Sequence, residues 1–291
     1  MIDLLLEPFQ YEYMWRAIWV SALVGSVCAF LSCYLMLKGW SLMGDALAHS
    51  IVPGVALSYA LALPMTIGAF VAGILAAASM ALVRRATRLR EDAVIGLIFT
   101  SFFALGLLIV SISPTSVNVQ EIVLGNILAI SDSDVFQVGL ISAIALIVLI
   151  LKWRDFAAVF FDETHASTVG LNVRFLTILF FTLLSAASVA ALQTVGACLV
   201  IALLITPGAT AYLLSDRFSR LLVLSVSIGV STCAVGAYLS YFIDGATGGI
   251  IVTLQTVLFL LVFVFAPKHG LLASRRQIKL TRQEALKNGA I

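Results

Sequence analysis

Asp45 and His49 are spaced as two ligands of a metal ion would be on a helix. Residues four apart share one helical face, about one turn from each other. A carboxylate oxygen together with an imidazole nitrogen suits Mn²⁺, Fe²⁺ or Zn²⁺. A second interpretation stays open, in which Asp45 caps a helix after Gly44 and His49 hydrogen-bonds a carbonyl. Two ligands are also too few, so other residues or a second subunit must complete the coordination shell.

The segment 160–171 is a short polar helix pattern in a mostly apolar chain. Asp162 and Glu163 near its start suit the helix dipole, and Gly170 suits its end. An ordinary helix that links two membrane spans would have this pattern, and so would a docking surface for a partner. We expect His165 to be an interface residue and not a metal ligand.

Two other polar places are ambiguous. The amphipathic segment Asn118–Leu128 would line an entrance or form a plain loop helix, and Gln193 lies at a break between two apolar runs. The cysteines Cys28, Cys33, Cys198 and Cys233 all lie in apolar runs and form no CxxC pair. We interpret them as small packing residues.

Motifs for ATP hydrolysis and other common chemistries are missing from the sequence. No lysine is followed by Ser or Thr, so there is no GxxxxGK[ST] phosphate loop. GxSxG, HExxH and dinucleotide-binding patterns are missing too. The sequence therefore predicts no enzyme, and any energy from ATP must come through another chain.

The composition predicts an all-α integral membrane protein. Of the 291 residues, 62% are hydrophobic and 11% are charged, and the mean hydropathy is +1.11. Soluble domains average about 25% charged residues. Uncharged runs such as Ala17–Leu37 are long enough to cross a bilayer as helices. We expect one transmembrane domain over residues 1–291, surrounded by lipid. The basic residues lie at the membrane edges, so they do not indicate a nucleic-acid partner.

Pro and Gly punctuation divides the apolar runs into about nine transmembrane helices, or eight if one segment is re-entrant. The predicted spans are 14–37, 42–62, 65–84, 93–112, 134–152, 173–192, 196–214, 219–241 and 247–266. The first apolar segment lacks a basic n-region, so we interpret it as a span and not as a cleaved signal peptide.

The basic residues predict the orientation. With the loop that carries Arg84, Arg88 and Arg90 in the cytoplasm, alternation places sixteen of the seventeen Lys and Arg residues on that side. The exception is Arg16. The N-terminus is then outside, whereas segment 160–171 and the tail 268–291 are cytoplasmic.

From Trp15 to Pro267 the sequence resembles the membrane permease of bacterial ABC importers for manganese, zinc and iron. The resemblance is carried by the following segments: Leu37–Gly54, Glu91–Gly96, Leu124-Gly125-Asn126, Asp162-Glu163, Gln193–Gly196 and Leu203–Pro207. Within the family, residues 102–130 are most similar to the chelated iron and manganese systems of enterobacteria.

This resemblance implies a type II ABC importer permease fold in the bacterial cytoplasmic (inner) membrane. The implied partners are a cytoplasmic ABC ATPase, a second permease (identical or paralogous) and an extracytoplasmic metal-binding protein. Asp45 and His49 would face the translocation path of Mn²⁺, Fe²⁺ or Zn²⁺, with no permanently bound cofactor. Segment 160–171 would be the coupling helix, with the following residues coupling it to the ATPase: Asp162, Glu163, His165, Val169 and Gly170.

The expected function is thus the pore-forming permease of an ATP-driven importer of divalent metal, with Mn²⁺ and Fe²⁺ favoured. A zinc permease of the same family is the nearest alternative. From another class, an ion-coupled secondary transporter would use an intramembrane Asp as its ion site. A structural membrane subunit is a third alternative.

Overall fold

The computed structural model describes residues 7–40, 42–112, 132–266 and 270–271, and these form helices joined by short turns. After a 3₁₀ turn over Glu7–Gln10, the α-helices are α1 (Glu12–Lys38), α2 (Met43–Ser50), α3 (Val52–Ala60), α4 (Met65–Ala86), α5 (Glu91–Ile112), α6 (Asp132–Phe161), α7 (Glu163–Thr168), α8 (Val173–Val195), α9 (Ala197–Leu214), α10 (Phe218–Ile243) and α11 (Thr247–Phe265). The all-α fold class is confirmed.

The helices run between two ends of a bundle. We call the end that carries Lys38, Arg84 and Arg174 the basic end, because these three residues line one cavity there. At the opposite end, Arg16 near the start of α1 pairs with Asp132 at the start of α6. Helices α1 and α6 are therefore parallel, and both finish at the basic end.

Helix α1 is the central helix of the bundle. Its most apolar stretch is 78% buried, whereas the corresponding value for α5 and α11 is 17%. Ser32 of α1 also supports α9 next to Pro207, which lies inside that helix and has no N–H to donate. The N–H of Gly208 donates to Ser32 Oγ over 3.0 Å, and Ser32 Oγ lies 3.2 Å from the carbonyl oxygen of Ile205.

The predicted span 42–62 is not one continuous helix. The structure divides it into α2 and α3, with Ile51 between them and Pro53 in the first turn of α3. The cause is Pro53, because its ring has no N–H for the ladder and clashes with the carbonyl four residues earlier. The break lies inside the predicted span, and the pair still runs from the basic end towards the opposite end.

The predicted span 134–152 was too short. Helix α6 continues to Phe161, so much of the expected loop between Lys152 and Arg174 is helical. Its last turns remain helical because Phe156, Val159 and Phe160 are buried in the core.

Among the described residues, seven helices are long and apolar enough to cross a membrane. Helix α9 and the pair α2–α3 run between the same two ends, which agrees with the prediction of about nine passes. The segment Asn118–Leu128 and residues 272–291 of the tail lie outside the described residues.

An aromatic cluster holds the basic end together. The ring of Tyr34 lies 5.2–6.0 Å from five other rings, those of Phe30, Phe156, Phe160, Phe180 and Phe218. Its hydroxyl donates to the carbonyl oxygen of Trp153 over 3.0 Å. Helices α1, α6, α8 and α10 are thereby joined next to α7.

Candidate metal site

Helix α2 is held tightly against the bundle. A Cβ atom on Gly44 would lie 2.9 Å from the Cβ of Leu204 in α9, so any larger residue would push the two helices apart. Every residue of α2 is buried except Asp45 and His49. The tight packing of the other residues therefore leaves these two side chains as a single partly exposed stripe.

Asp45 and His49 contact each other. Nε2 of His49 lies 3.2 Å from Oδ1 of Asp45, and 30% and 34% of the respective side-chain surfaces are exposed. The alternative in which Asp45 caps the helix does not agree with the structure. The cap position is Leu42, without a side-chain hydrogen bond, and Asp45 is the third residue of the helix.

The separation of the two atoms suits two ligands of one metal ion. For metal–ligand distances of about 2.1 Å, typical of first-row divalent ions, atoms 3.2 Å apart subtend an angle of about 100° at the metal. This value lies between the octahedral and the tetrahedral angle. No rotation of α2 is required for both atoms to bind the same ion.

Contacts with α5 give the depth of the pair. Trp40, before α2, donates to the carboxylate of Glu91, the first residue of α5. The ring of His49 lies 5.4 Å from the rings of both Phe99 and Phe103. At 1.5 Å per residue, these phenylalanines lie about 12 and 18 Å along α5 from Glu91. His49 is therefore close to the middle of a hydrocarbon core about 30 Å thick.

At this depth, the partly exposed side chains of Asp45 and His49 indicate what covers this face of α2. A carboxylate and an imidazole in contact with lipid tails at mid-membrane would be costly, so such groups face a water-filled path or another protein. Among the described residues, no cluster of three His, Cys, Asp or Glu side chains is close enough to hold a metal ion. In the part of the chain that the structure describes, Asp45 and His49 therefore have no third such side chain beside them.

The predicted coupling segment folds differently from one helix over 160–171. Phe160 and Phe161 complete α6, and the short helix α7 covers Glu163–Thr168. Asp162 is its N-cap, because Oδ1 accepts hydrogen bonds from the backbone N–H groups of Thr164 and His165. Gly170 has a φ of 88°, which suits a glycine after the helix.

The cap determines the charge state of Asp162. The backbone N–H groups of His165 and Thr164 donate to its carboxylate and hold the pKa of Asp162 below its ordinary value. The side chain is therefore occupied in shaping α7.

Glu163 also has partners inside this chain. Its carboxylate lies 3.2 Å from Nζ of Lys38 and 3.8 Å from a guanidinium nitrogen of Arg84. His165 and Val169 are exposed on α7 and just after it. Their exposure leaves both side chains accessible at the basic end.

Trp40, Arg84 and Glu91 form a polar cluster that motif analysis had not assigned. The signals were present in the sequence, because a tryptophan and two charged residues border apolar runs there. What the sequence lacks is the contact between them, since Trp40 and Glu91 are 51 positions apart.

Comparison with known proteins agrees with the helical architecture. A family model described as the ABC 3 transport family matches residues 10–266. The chelated iron transport system membrane protein of Yersinia pestis is 66% identical over 97% of this chain and 96% of its own. The manganese transport system membrane protein of Synechocystis is 51% identical over 92% of this chain and 88% of its own.

Solved structures show the same fold. One chain of PsaBC from Streptococcus pneumoniae, determined in complex with Fab, superposes with a TM-score of 0.83. It is 35% identical, and the match covers 97% of this chain and all of that one. With most of its length matched by the family model, the chain belongs to the ABC 3 transport family.

Proposed function

We propose that this chain is the pore-forming permease of an ATP-driven importer of divalent transition metal ions, with Mn²⁺ and Fe²⁺ as the favoured cargo. The observation that carries the proposal is the Asp45–His49 pair, which is the partly exposed stripe of an otherwise buried helix near mid-membrane. The similar proteins of Yersinia pestis and Synechocystis, named for chelated iron and for manganese transport, support the choice of metal.

The pair lowers the barrier to a cation in an apolar path. A divalent ion that enters the membrane loses water ligands, and oxygen and nitrogen ligands replace part of that hydration. A divalent ion binds a neutral imidazole nitrogen and a carboxylate oxygen, and His49 and Asp45 present these two atoms side by side. The carboxylate of Asp45 supplies negative charge. The two phenylalanine rings in contact with His49 are apolar and supply none.

The remaining ligands come from a second permease, identical or paralogous, which covers the stripe. A metal-binding protein delivers the ion from outside, and an ABC ATPase binds the basic end in the cytoplasm. The positive-inside rule supports this orientation in the inner membrane, with the N-terminus outside. No permanently bound cofactor is required, because the metal is cargo.

We assign distinct tasks to the predicted coupling residues. His165 and Val169 contact the ATPase, since both are exposed at the basic end. Asp162 and Gly170 shape α7 through the cap and the turn. Glu163 is the exception, because its carboxylate is directed towards Lys38 and Arg84.

Uptake of radiolabelled Mn²⁺ or Fe²⁺ by cells tests the proposal. Asp45→Ala and His49→Ala should each abolish or strongly reduce uptake without lowering the amount of assembled complex. Asp45→Ser should fail as well, because it removes the carboxylate and its negative charge. The matched control is Asp155→Ala, which removes an acid from an exposed pair with Lys152 and should leave uptake unchanged. Normal uptake by Asp45→Ser at normal expression would contradict the metal assignment.

A further inference from the structure

We propose that Glu163, Arg84, Glu91 and Trp40 are positioning residues that connect α7 with the start of α2 and so relay ATPase movement to the Asp45–His49 pair. The inference rests on the proposed function. It assigns to Glu163 a role inside the permease in place of contact with the ATPase.

The connection begins at Glu163, the first residue of α7. Its carboxylate pairs with Lys38 at the end of α1 and with Arg84 near the end of α4. About half of the Glu163 side chain remains exposed, at 48%, compared with 21% for Lys38. Glu163 therefore ties α7 to two transmembrane helices at the surface of the bundle.

Arg84 also forms an ion pair with Glu91. Nε of Arg84 lies 3.2 Å from a carboxylate oxygen of Glu91, the first residue of α5. The guanidinium group also lies 5.4 Å from the centre of the Trp40 ring, a cation–π contact. Trp40 in turn donates its indole N–H to the other carboxylate oxygen of Glu91. Arg84, Glu91 and Trp40 thus form a closed triangle of contacts.

Trp40 links these contacts to the helix that carries the metal pair. The residue is 5% exposed, and its ring lies 5.7 Å from those of both Phe160 and Phe181. Its carbonyl oxygen accepts the N–H of Met43, the first residue of α2, over 3.1 Å. Asp45 is the third residue of α2, so a displacement of Trp40 that shifts the start of this helix also shifts Asp45.

The packing around these residues leaves room for such a movement. A cavity of about 370 Å³ lies against the four positioning residues and is also bordered by Met43 and Met80. Well-packed cores resist displacement, whereas a cavity with flexible methionine walls can change shape. The ion pairs are partly exposed, so they add little to stability and can break and re-form. Contacts that can rearrange in this way are suited to transmitting a movement between helices.

The test uses the permease with its ATPase in proteoliposomes, supplied with metal-loaded binding protein. ATP hydrolysis and Mn²⁺ uptake are measured in the same vesicles, and bound ATPase is measured per permease. Glu163→Gln removes both ion pairs of α7, and Trp40→Phe removes the indole donor while keeping an aromatic ring. The control is Lys152→Met with Asp155→Asn, an exposed pair 2.9 Å apart on α6.

We expect both single variants to keep their ATPase and to transport at least about fivefold less Mn²⁺ per ATP, the lower range of coupling between separate sites. The double variant Trp40→Phe, Glu163→Gln should be no worse than either single variant, because both act in one connection. The control pair should keep the wild-type ratio.

Two results would overturn the inference and leave the proposed function standing. One is an unchanged ratio of Mn²⁺ to ATP in Glu163→Gln and Trp40→Phe. The other is loss of bound ATPase in Glu163→Gln, which would place Glu163 at the docking surface. The proposed function is judged on the wild-type complex, where lack of ATP-dependent uptake would refute both.

Discussion

Gly106 of α5 has no space for a side chain, and its substitution tests the contact that positions α2 and α3. A Cβ atom there would lie 2.9 Å from the nitrogen of Pro53 and 2.9 Å from Cγ1 of Val52. It would also lie 3.1 Å from Cδ of Pro53. A backbone nitrogen and a proline ring cannot rotate away, so α3 must move by a few tenths of an ångström.

Two opposing free energies set the size of the effect. Overpacking of a well-packed contact costs about 1–3 kcal/mol. Replacing a helical glycine with alanine gains up to about 1 kcal/mol through helix propensity. Gly96 lies on the same helix, and a Cβ there would have no atom within 4 Å. Gly96→Ala therefore gains helix propensity without the overpacking cost. The two alanine variants should differ in free energy of unfolding by about 1–3 kcal/mol.

Thermal unfolding of the purified permease in detergent measures this difference. For a chain of 291 residues, 1 kcal/mol corresponds to a shift of about 1.6 °C in the unfolding midpoint. We expect Gly106→Ala to unfold several degrees below Gly96→Ala. Because Pro53 lies one turn after His49, the larger Gly106→Leu should reduce metal uptake as well. Equal midpoints for the two alanine variants would refute the close approach of α3 and α5.

Three further predictions concern the basic end and the topology. A cysteine introduced at Arg88 should be labelled from the cytoplasm and one at Asp244 from the periplasm; the reverse would overturn the orientation. Because the pKa of Asp162 is lowered in the folded chain, its cap should stabilise α7 above the ordinary aspartate pKa and be lost as the pH falls through the folded-state pKa. Amide exchange of α7 should show this loss in wild type, whereas Asp162→Asn should show no such acid transition. Val169→Asp, at a side chain 67% exposed, should reduce ATPase co-purification at normal expression; unchanged co-purification would exclude Val169 from the docking surface.

Local rules predicted what depends on neighbouring residues in the sequence. The i, i+4 spacing placed Asp45 and His49 on one face, and the structure puts their side chains 3.2 Å apart. The break at Gly196 was predicted from punctuation, and its φ of 80° shows why glycine is required there. The proline signal was present at Pro53 as well, but the apolar run around it was interpreted as one span.

Tertiary contacts determined what the sequence could not predict. The depth of His49 follows from its contacts with Phe99 and Phe103, which lie 50 or more positions away. No pattern in the sequence indicated the ion pair between Glu163 and Lys38, which lies 125 positions earlier. Ion pairs between residues this far apart depend on how the helices pack against each other. The spacing of apolar residues along the sequence does not predict that packing.

The central claim is that cargo metal binds His49, and electron–nuclear double resonance of bound Mn²⁺ tests it most directly. The permease–ATPase complex is prepared with ¹⁵N-histidine and without the binding protein, and Mn²⁺ is then added. We expect a histidine-nitrogen coupling to Mn²⁺ in wild type and in His165→Ala, and its loss in His49→Ala. A wild-type spectrum without that coupling, or a coupling that persists in His49→Ala, would contradict metal binding by His49.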